Sequence, residues 1–181
     1  GRMLKKVGNK AQDTAELFFD DMRLPGDSLL GGDEEGWRQL MAGLARERMV
    51  VAVRSITIAE TALEQTVTYT KSRKAFDQPV FDFQNTRFTL AGLATDCAAI
   101  RPFVDRCIAA VAHGSLTAEV AAMAKLVTTE LADKVLDACV QLHGGNGYMW
   151  EYPIARAWAD ARVHRIYAGT NEIMKHIIGR A

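Results

Sequence analysis

The chain has 181 residues, 49% hydrophobic and 24% charged, with 22 Lys and Arg against 22 Asp and Glu. That length suffices for one domain with a real core, or for one domain and a piece of another. Zero formal net charge excludes a general attraction to nucleic acid or anionic membrane, and no apolar run approaches the roughly 20 residues that cross a bilayer.

The first thirty residues differ from the rest. Ala15-Glu16-Leu17-Phe18-Phe19-Asp20-Asp21 is a short aromatic run between polar turns, and Leu24-Pro25-Gly26-Asp27 is turn chemistry. One or two strands are expected here, too few for a sheet stable alone, so the chain is expected to begin inside a larger protein at the tail of a β domain. From Gly36 an apolar stripe through Leu40, Leu44, Val51, Ile58, Ala62 and Leu63 predicts a helix to about Ser72. Ala75 to Phe83 breaks it, with Pro79 preventing continuation. A second helix is expected from Gln84 to about Ala112, capped by Asp82 and kinked between Ala98 and Pro102. After the turn His113-Gly114-Ser115, Ser115 or Thr117 caps a third helix that reaches Leu142 and stops at Gly144. A fourth spans Pro153 to Ile166, and a last runs from Asn171 with Glu172 in its first turn. The fold class expected is all-α, a four-helix up-down bundle (residues 32–181) behind a short β remnant (residues 1–31).

Cys97, Cys107 and Cys139 are odd in number, form no Cys-x-x-Cys pair and lie in apolar helical patterns, as buried free thiols of a reducing compartment do. His113, His143, His164 and His176 share no ligand spacing with them, so no metal site is expected. The opening GRMLKKVGNK lacks the apolar core of a signal peptide. A bacterial cytoplasm or a mitochondrial matrix is the expected setting.

Between Gln141 and Ile173 lie two glycine turns, Gly144-Gly145-Asn146-Gly147 and Gly169-Thr170. Each reads as a helix cap or as main chain bared to a ligand, and the helix after Thr170 would favour an anion or an electron-rich oxygen. No strand precedes the first, so it is not a dinucleotide fingerprint of the Rossmann kind. Arg73 and Lys74 suit a solvated helix C-terminus, and Arg46-Glu47-Arg48 a solvated charged face.

The strings QLHGGNGYMWEYPIARAWADARVHRIYAGTNEI, YTKSRKAFDQPVFDFQ and AQDTAELFFDDMRLP, in that arrangement, closely resemble the acyl-CoA dehydrogenases, FAD enzymes whose C-terminal domain is a four-helix bundle. The resemblance covers nearly the whole chain and is closest to the long-chain and isovaleryl-type members. It implies that Arg73, with Phe76 beside it, binds the FAD pyrophosphate of a neighbouring subunit through a planar fork of donors. It implies further FAD contacts from Gln84, from Gln141, Leu142, His143, Gly144 and Gly145 across the subunit interface, and from Thr170 and Glu172. Glu172 stands where several relatives have Gln.

The implied reaction is α,β-dehydrogenation of an acyl-CoA thioester, in which a carboxylate removes the α proton. Many members carry that glutamate directly before the Gly-Thr of the last turn, where this chain has Ala168, which cannot be a base. Either the activity is lost or altered, or the base comes from elsewhere, as in the long-chain and isovaleryl types, where it sits on the first bundle helix at the position that Glu47 matches. Arg48 matches an arginine near the substrate. The Ala168 N–H, with Gly169, matches the donor that polarises the thioester carbonyl. Electron-transfer flavoprotein as acceptor and a homodimer or homotetramer are also implied. The rival readings are a non-catalytic helical assembly module and a flavin oxidase or monooxygenase on the same scaffold.

Overall fold

The structure is a computed structural model that describes residues 1–180. It is mostly helical, as the periodicity predicts. The α-helices are α1 (Gly36–Ser72), α2 (Gln84–Ala112), α3 (Ala118–His143), α4 (Pro153–Ala161) and α5 (Asn171–Ile178). α4 and α5 each pack on α3, and the chain between them includes a 3-10 turn over Arg162–Arg165. Helix four therefore ends at Ala161, five residues before the expected Ile166, because the chain tightens into the 3-10 turn there.

α1 has 37 residues and is about 55 Å long at ~1.5 Å per residue. Its buried residues begin at Arg48 and Met49 and recur through Ala52, Ile56, Ala59, Ala62, Thr66 and Thr70, one helical face. The turns before that stripe bury nothing, and Trp37 and Leu40 are exposed. α1 and α3 share the largest helix–helix contact and run parallel, their C-terminal ends meeting where Tyr69 stacks on His143. Both helices put small side chains into the shared core, Ala52, Ala59 and Ala62 from α1 and Ala121, Ala124 and Ala132 from α3. Ile56, Val104, Val135 and Leu136 fill the same core.

α2 runs unbroken through Pro102 and is joined to α1 by the Arg101–Glu60 ion pair. Its N-cap is Phe83, with no side-chain cap bond, rather than Asp82, which closes a 3-10 turn instead. Between α1 and α2 the chain makes a hairpin, β1 (Lys74–Ala75) pairing antiparallel with β2 (Gln78–Pro79). Thr117 caps α3, its side chain accepting the Val120 N–H. All three cysteines are buried and free, as expected.

The aromatic run at residues 15–21 forms no strand; it contributes one isolated bridge, Met3 with Ala15. A strand needs a ladder partner, and Phe18 and Phe19 stand exposed. The segment is tied to the bundle at Asn9, whose Nδ2 donates to the Asp160 carbonyl (3.0 Å) and whose Oδ1 accepts from Arg54 (2.9 Å). Among the described residues, no helix is long and apolar enough to cross a membrane.

Candidate functional site

Two clusters of polar groups sit at opposite ends of the α1–α3 pair. At the N-terminal end, successive helical residues point about 100° apart, so α1 turns Arg48 inward and leaves Glu47 exposed. The Glu47 side chain lies back toward Gly43, where a Cβ would be 3.9 Å from its Oε1. Arg48 is 6% exposed and its Nε donates to the Ala168 carbonyl at 3.5 Å. Burial lowers the Arg48 pKa and the Glu47 carboxylate opposes that shift.

Ala168 and Gly169 form a left-handed turn, with φ of 53° and 92°. Ala168 tolerates that region poorly, and at Gly169 the φ of 92° favours glycine, since any other side chain there would be strained and would also push aside the tip of Met174. Thr170 then caps α5 by accepting the Ile173 N–H at 3.4 Å. Beneath the turn is Lys125 of α3, fully buried. Its Nζ donates to the Gly169 carbonyl and to Asn171 Oδ1, both at 2.8 Å. Thr129 Oγ1 joins the Asn171 side chain at 3.1 Å. Burial lowers the Lys125 pKa to about 8; Glu172 opposes this and Arg48 and Arg165 add to it.

His164 lies nearby, fully buried, with Nδ1 3.0 Å from Ser55 Oγ. Its Nε2 is buried without a partner among the described residues, and burial pushes its pKa down to about 4.

At the other end, the Tyr69 and His143 rings stack at 4.1 Å and 17°. Tyr69 Oη donates to the His143 carbonyl (3.2 Å) and accepts from Asn146 Nδ2 (2.9 Å). His143 Nδ1 lies 2.7 Å from the Cys139 carbonyl, which makes it the protonated nitrogen. α3 stops there because Gly144 takes φ 59°. A cavity of about 420 Å³ opens beside this stack, lined by Tyr69, Arg73, Val80, Asn85, Gln141, Leu142, His143, Gly144, Gly145 and Asn146. Arg73 is exposed and pairs with no carboxylate among the described residues. The hairpin turn after it places Phe76 and Asp77 at positive φ (51° and 64°), with Phe76 at the tip, 91% exposed.

The structure thus gathers Arg73 and Gln141 to Gly145 around one cavity, with Gln84 exposed beside the lining residue Asn85. Phe76 is not among the lining residues. Thr170, Glu172, Ala168 and Gly169 belong to the other end with Arg48. Lys125 and His143 are eighteen positions apart on α3, about 27 Å along its axis. Tyr69, Asn85 and Lys125 were not singled out from the sequence, and Asn146 was named only as part of the first glycine turn. Lys125 did leave a signal, since a lysine stands in the apolar stripe Ala121, Ala124, Leu131.

A further cavity of about 860 Å³ is an apolar groove of α1 and α2 lined by Met49, Val50, Val53, Ile58, Ile108 and Val111 with Arg46 and Arg54. It contains none of the predicted site residues. Among the described residues no group of His, Cys, Asp or Glu could hold a metal.

Residues 34–181 match the family described as acyl-CoA dehydrogenase, C-terminal domain. The long-chain specific acyl-CoA dehydrogenase, mitochondrial, of Sus scrofa is 50% identical over 180 residues, covering 99% of this chain and 42% of that protein. Acryloyl-CoA reductase (NADH) of Anaerotignum propionicum is 37% identical over 180 residues, covering 99% of this chain and 46% of that one. The crystal structure of acyl-CoA dehydrogenase from Geobacillus kaustophilus superposes with a TM-score of 0.96 at 49% identity, over 99% of this chain and 47% of its own. The chain spans less than half the length of these relatives.

Proposed function

The chain belongs to the acyl-CoA dehydrogenase family, and on that premise we propose that it is the C-terminal bundle of an FAD-dependent enzyme that dehydrogenates an acyl-CoA thioester between its α and β carbons. Residues 1–31 are then the tail of a preceding β domain and residues 32–181 the bundle. Glu47 is the base that removes the α proton, a role worth about 10²–10⁴ in rate. The Ala168 N–H, with Gly169 beside it, polarises the thioester carbonyl, and Arg48 supports the charge that develops there. The observation that carries this assignment is the contact of Arg48 with the Ala168 carbonyl (3.5 Å). It ties the α1 position next to Glu47 to the turn where many relatives keep their own glutamate.

FAD, when bound, supplies the acceptor for the β hydrogen. The cavity at the other end suits the diphosphate of such a group: Arg73 offers a fork of donors with no carboxylate partner among the described residues, and the positions where Gly144 and Gly145 would carry a Cβ meet nothing within 4 Å. Arg73, Phe76, Gln84, Gln141, Leu142, His143, Gly144 and Gly145 hold the diphosphate and adenosine of a neighbouring subunit's FAD. Thr170 and Glu172 contact the chain's own. The separation of about 27 Å along α3 supports two different flavins. A homodimer or homotetramer follows, with electron-transfer flavoprotein as acceptor, in the bacterial cytoplasm or the mitochondrial matrix.

The test is anaerobic titration of the full-length protein with a long-chain acyl-CoA, wild type against Glu47→Gln. Wild type should bleach the oxidised flavin; the variant should keep its FAD and bleach about 10²–10⁴-fold more slowly. Equal bleaching in both would put the base elsewhere. No bleaching in wild type would leave the assembly-module reading, which the apolar groove of α1 and α2 favours.

A further inference from the structure

The two carbonyls that precede the cap of α5 are each held by a buried cation from a different helix. Arg48 of α1 reaches the Ala168 carbonyl, and Lys125 of α3 reaches the Gly169 carbonyl and the Asn171 side chain. Both carbonyls belong to residues in left-handed backbone, a conformation that must be held from outside when one of them is alanine. A methionine in place of Lys125 would fill the same space with no charge to desolvate, so the amine is retained at a cost that its acceptors must offset. The α5 terminus does not need it, because Thr170 already caps that helix.

We infer that Lys125 is a positioning residue for the thioester-binding turn: by fixing the Gly169 carbonyl and Asn171 it holds Ala168 in its left-handed conformation and so aims the Ala168 N–H at the acyl carbonyl. The inference rests on the acyl-CoA reading and adds to it a side chain that does not touch substrate. The titratable groups facing Lys125 are Arg48 from α1, Arg165 from the turn after α4, itself paired with Asp133, Glu172 from α5, and the buried His164, which is neutral above about pH 4. No carboxylate among the described residues bonds to the lysine. The two cations bonded to the turn, Arg48 and Lys125, have no carboxylate among their hydrogen-bond partners, so they favour an enolate-like oxygen at the turn over a neutral one. With the lysine near pKa 8, its charge leaves in mildly alkaline solution, while the neutral amine still donates to both acceptors.

The test uses the full-length protein and a 3-ketoacyl-CoA, which binds as an enolate and is not dehydrogenated. Two quantities are read: the enolisation constant of the bound ligand, and hydrogen exchange of the 166–172 segment in the ligand-free protein. In Lys125→Met, enolisation should weaken by roughly tenfold to a hundredfold, and exchange should quicken in that segment alone, with FAD content unchanged. The ligand becomes enolate by losing its α proton to Glu47 or to solvent, so enolate rises with pH by itself; in wild type that rise should fall short of a one-proton titration above about pH 8, where Lys125 loses its charge. Asn171→Asp gives the ammonium a carboxylate partner and should carry that break to higher pH; it decides the matter if Lys125→Met does not accumulate folded. Unchanged enolisation in Lys125→Met, or exchange that rises uniformly along the chain, overturns the inference. A pH break that stays put in Asn171→Asp does the same. If wild type does not enolise the ligand, the acyl-CoA reading fails, and the exchange of the 166–172 segment still decides whether Lys125 holds the turn.

Discussion

The Arg48–Lys125 end and the Tyr69–His143 end belong to the same two helices, yet they treat their polar groups in opposite ways. At the first, buried cations are directed onto main-chain carbonyls, and the groups left for a ligand are a backbone N–H and one exposed carboxylate. At the second, two stacked rings close the interior while an arginine and a glycine main chain stand open around a cavity. A site for chemistry needs its donors fixed to a fraction of an ångström, and burial does that. A site for a large polyanion needs reach and charge, which an exposed arginine supplies.

Burial depresses the pKa of a histidine at each end, His143 and His164, and the larger shift is at the closed end. The folded His164 pKa of about 4 lies below the ordinary ~6.5, so the unfolded chain binds more protons between those values. Stability carried by neutral His164 is complete above pH 6.5 and is lost as pH falls toward 4, on the order of 3 kcal/mol. Denaturant titration at pH 7 and pH 4 should show a smaller acid loss in His164→Gln than in wild type. An equal loss would mean that the buried ring carries no such penalty. At the open end, Arg73→Ala should weaken FAD binding by about 2 kcal/mol, the value of a charge-assisted hydrogen bond. Apoprotein titration with FAD measures it, and the turnover of molecules that retain flavin should be unchanged. A fall in their turnover would erase the division between the ends. Smallest is Tyr69→Phe, which removes one donor and one acceptor and should cost about 1 kcal/mol of FAD affinity. Its effect on 3-ketoacyl-CoA enolisation should be nil.

The long helices were legible because their signals are local: the apolar stripe of α1, Thr117 as a cap, Gly144 as a stop. Two local signals misled. Asp82 has a capping side chain, but the chain enters α2 from a 3-10 turn that puts Phe83 at the cap. Phe18 and Phe19 have strand propensity, but propensity does not supply a neighbouring strand. At the sites, glycines and arginines were visible from the sequence, and their division between two ends was not. Lys125 shows why: its partners, Gly169 and Asn171, are more than forty positions away. Spacing along one helix carries no information about which distant turn folds over it.

The packing of α1 against α3 gives these distances their permanence. Because α1 and α3 share the most extensive helix–helix contact and both put alanines into the buried core, a shift of either would disturb packing along its whole length. Together they act as a ruler, with twenty-one residue steps from Arg48 to Tyr69 on one edge and eighteen from Lys125 to His143 on the other. One residue inserted into either edge would turn everything beyond it by about 100° and advance it by about 1.5 Å. Tyr69 would then miss His143, and the two ends would lose register. Length variation in this protein is therefore excluded from these two spans, while the loops that join the helices remain free to vary.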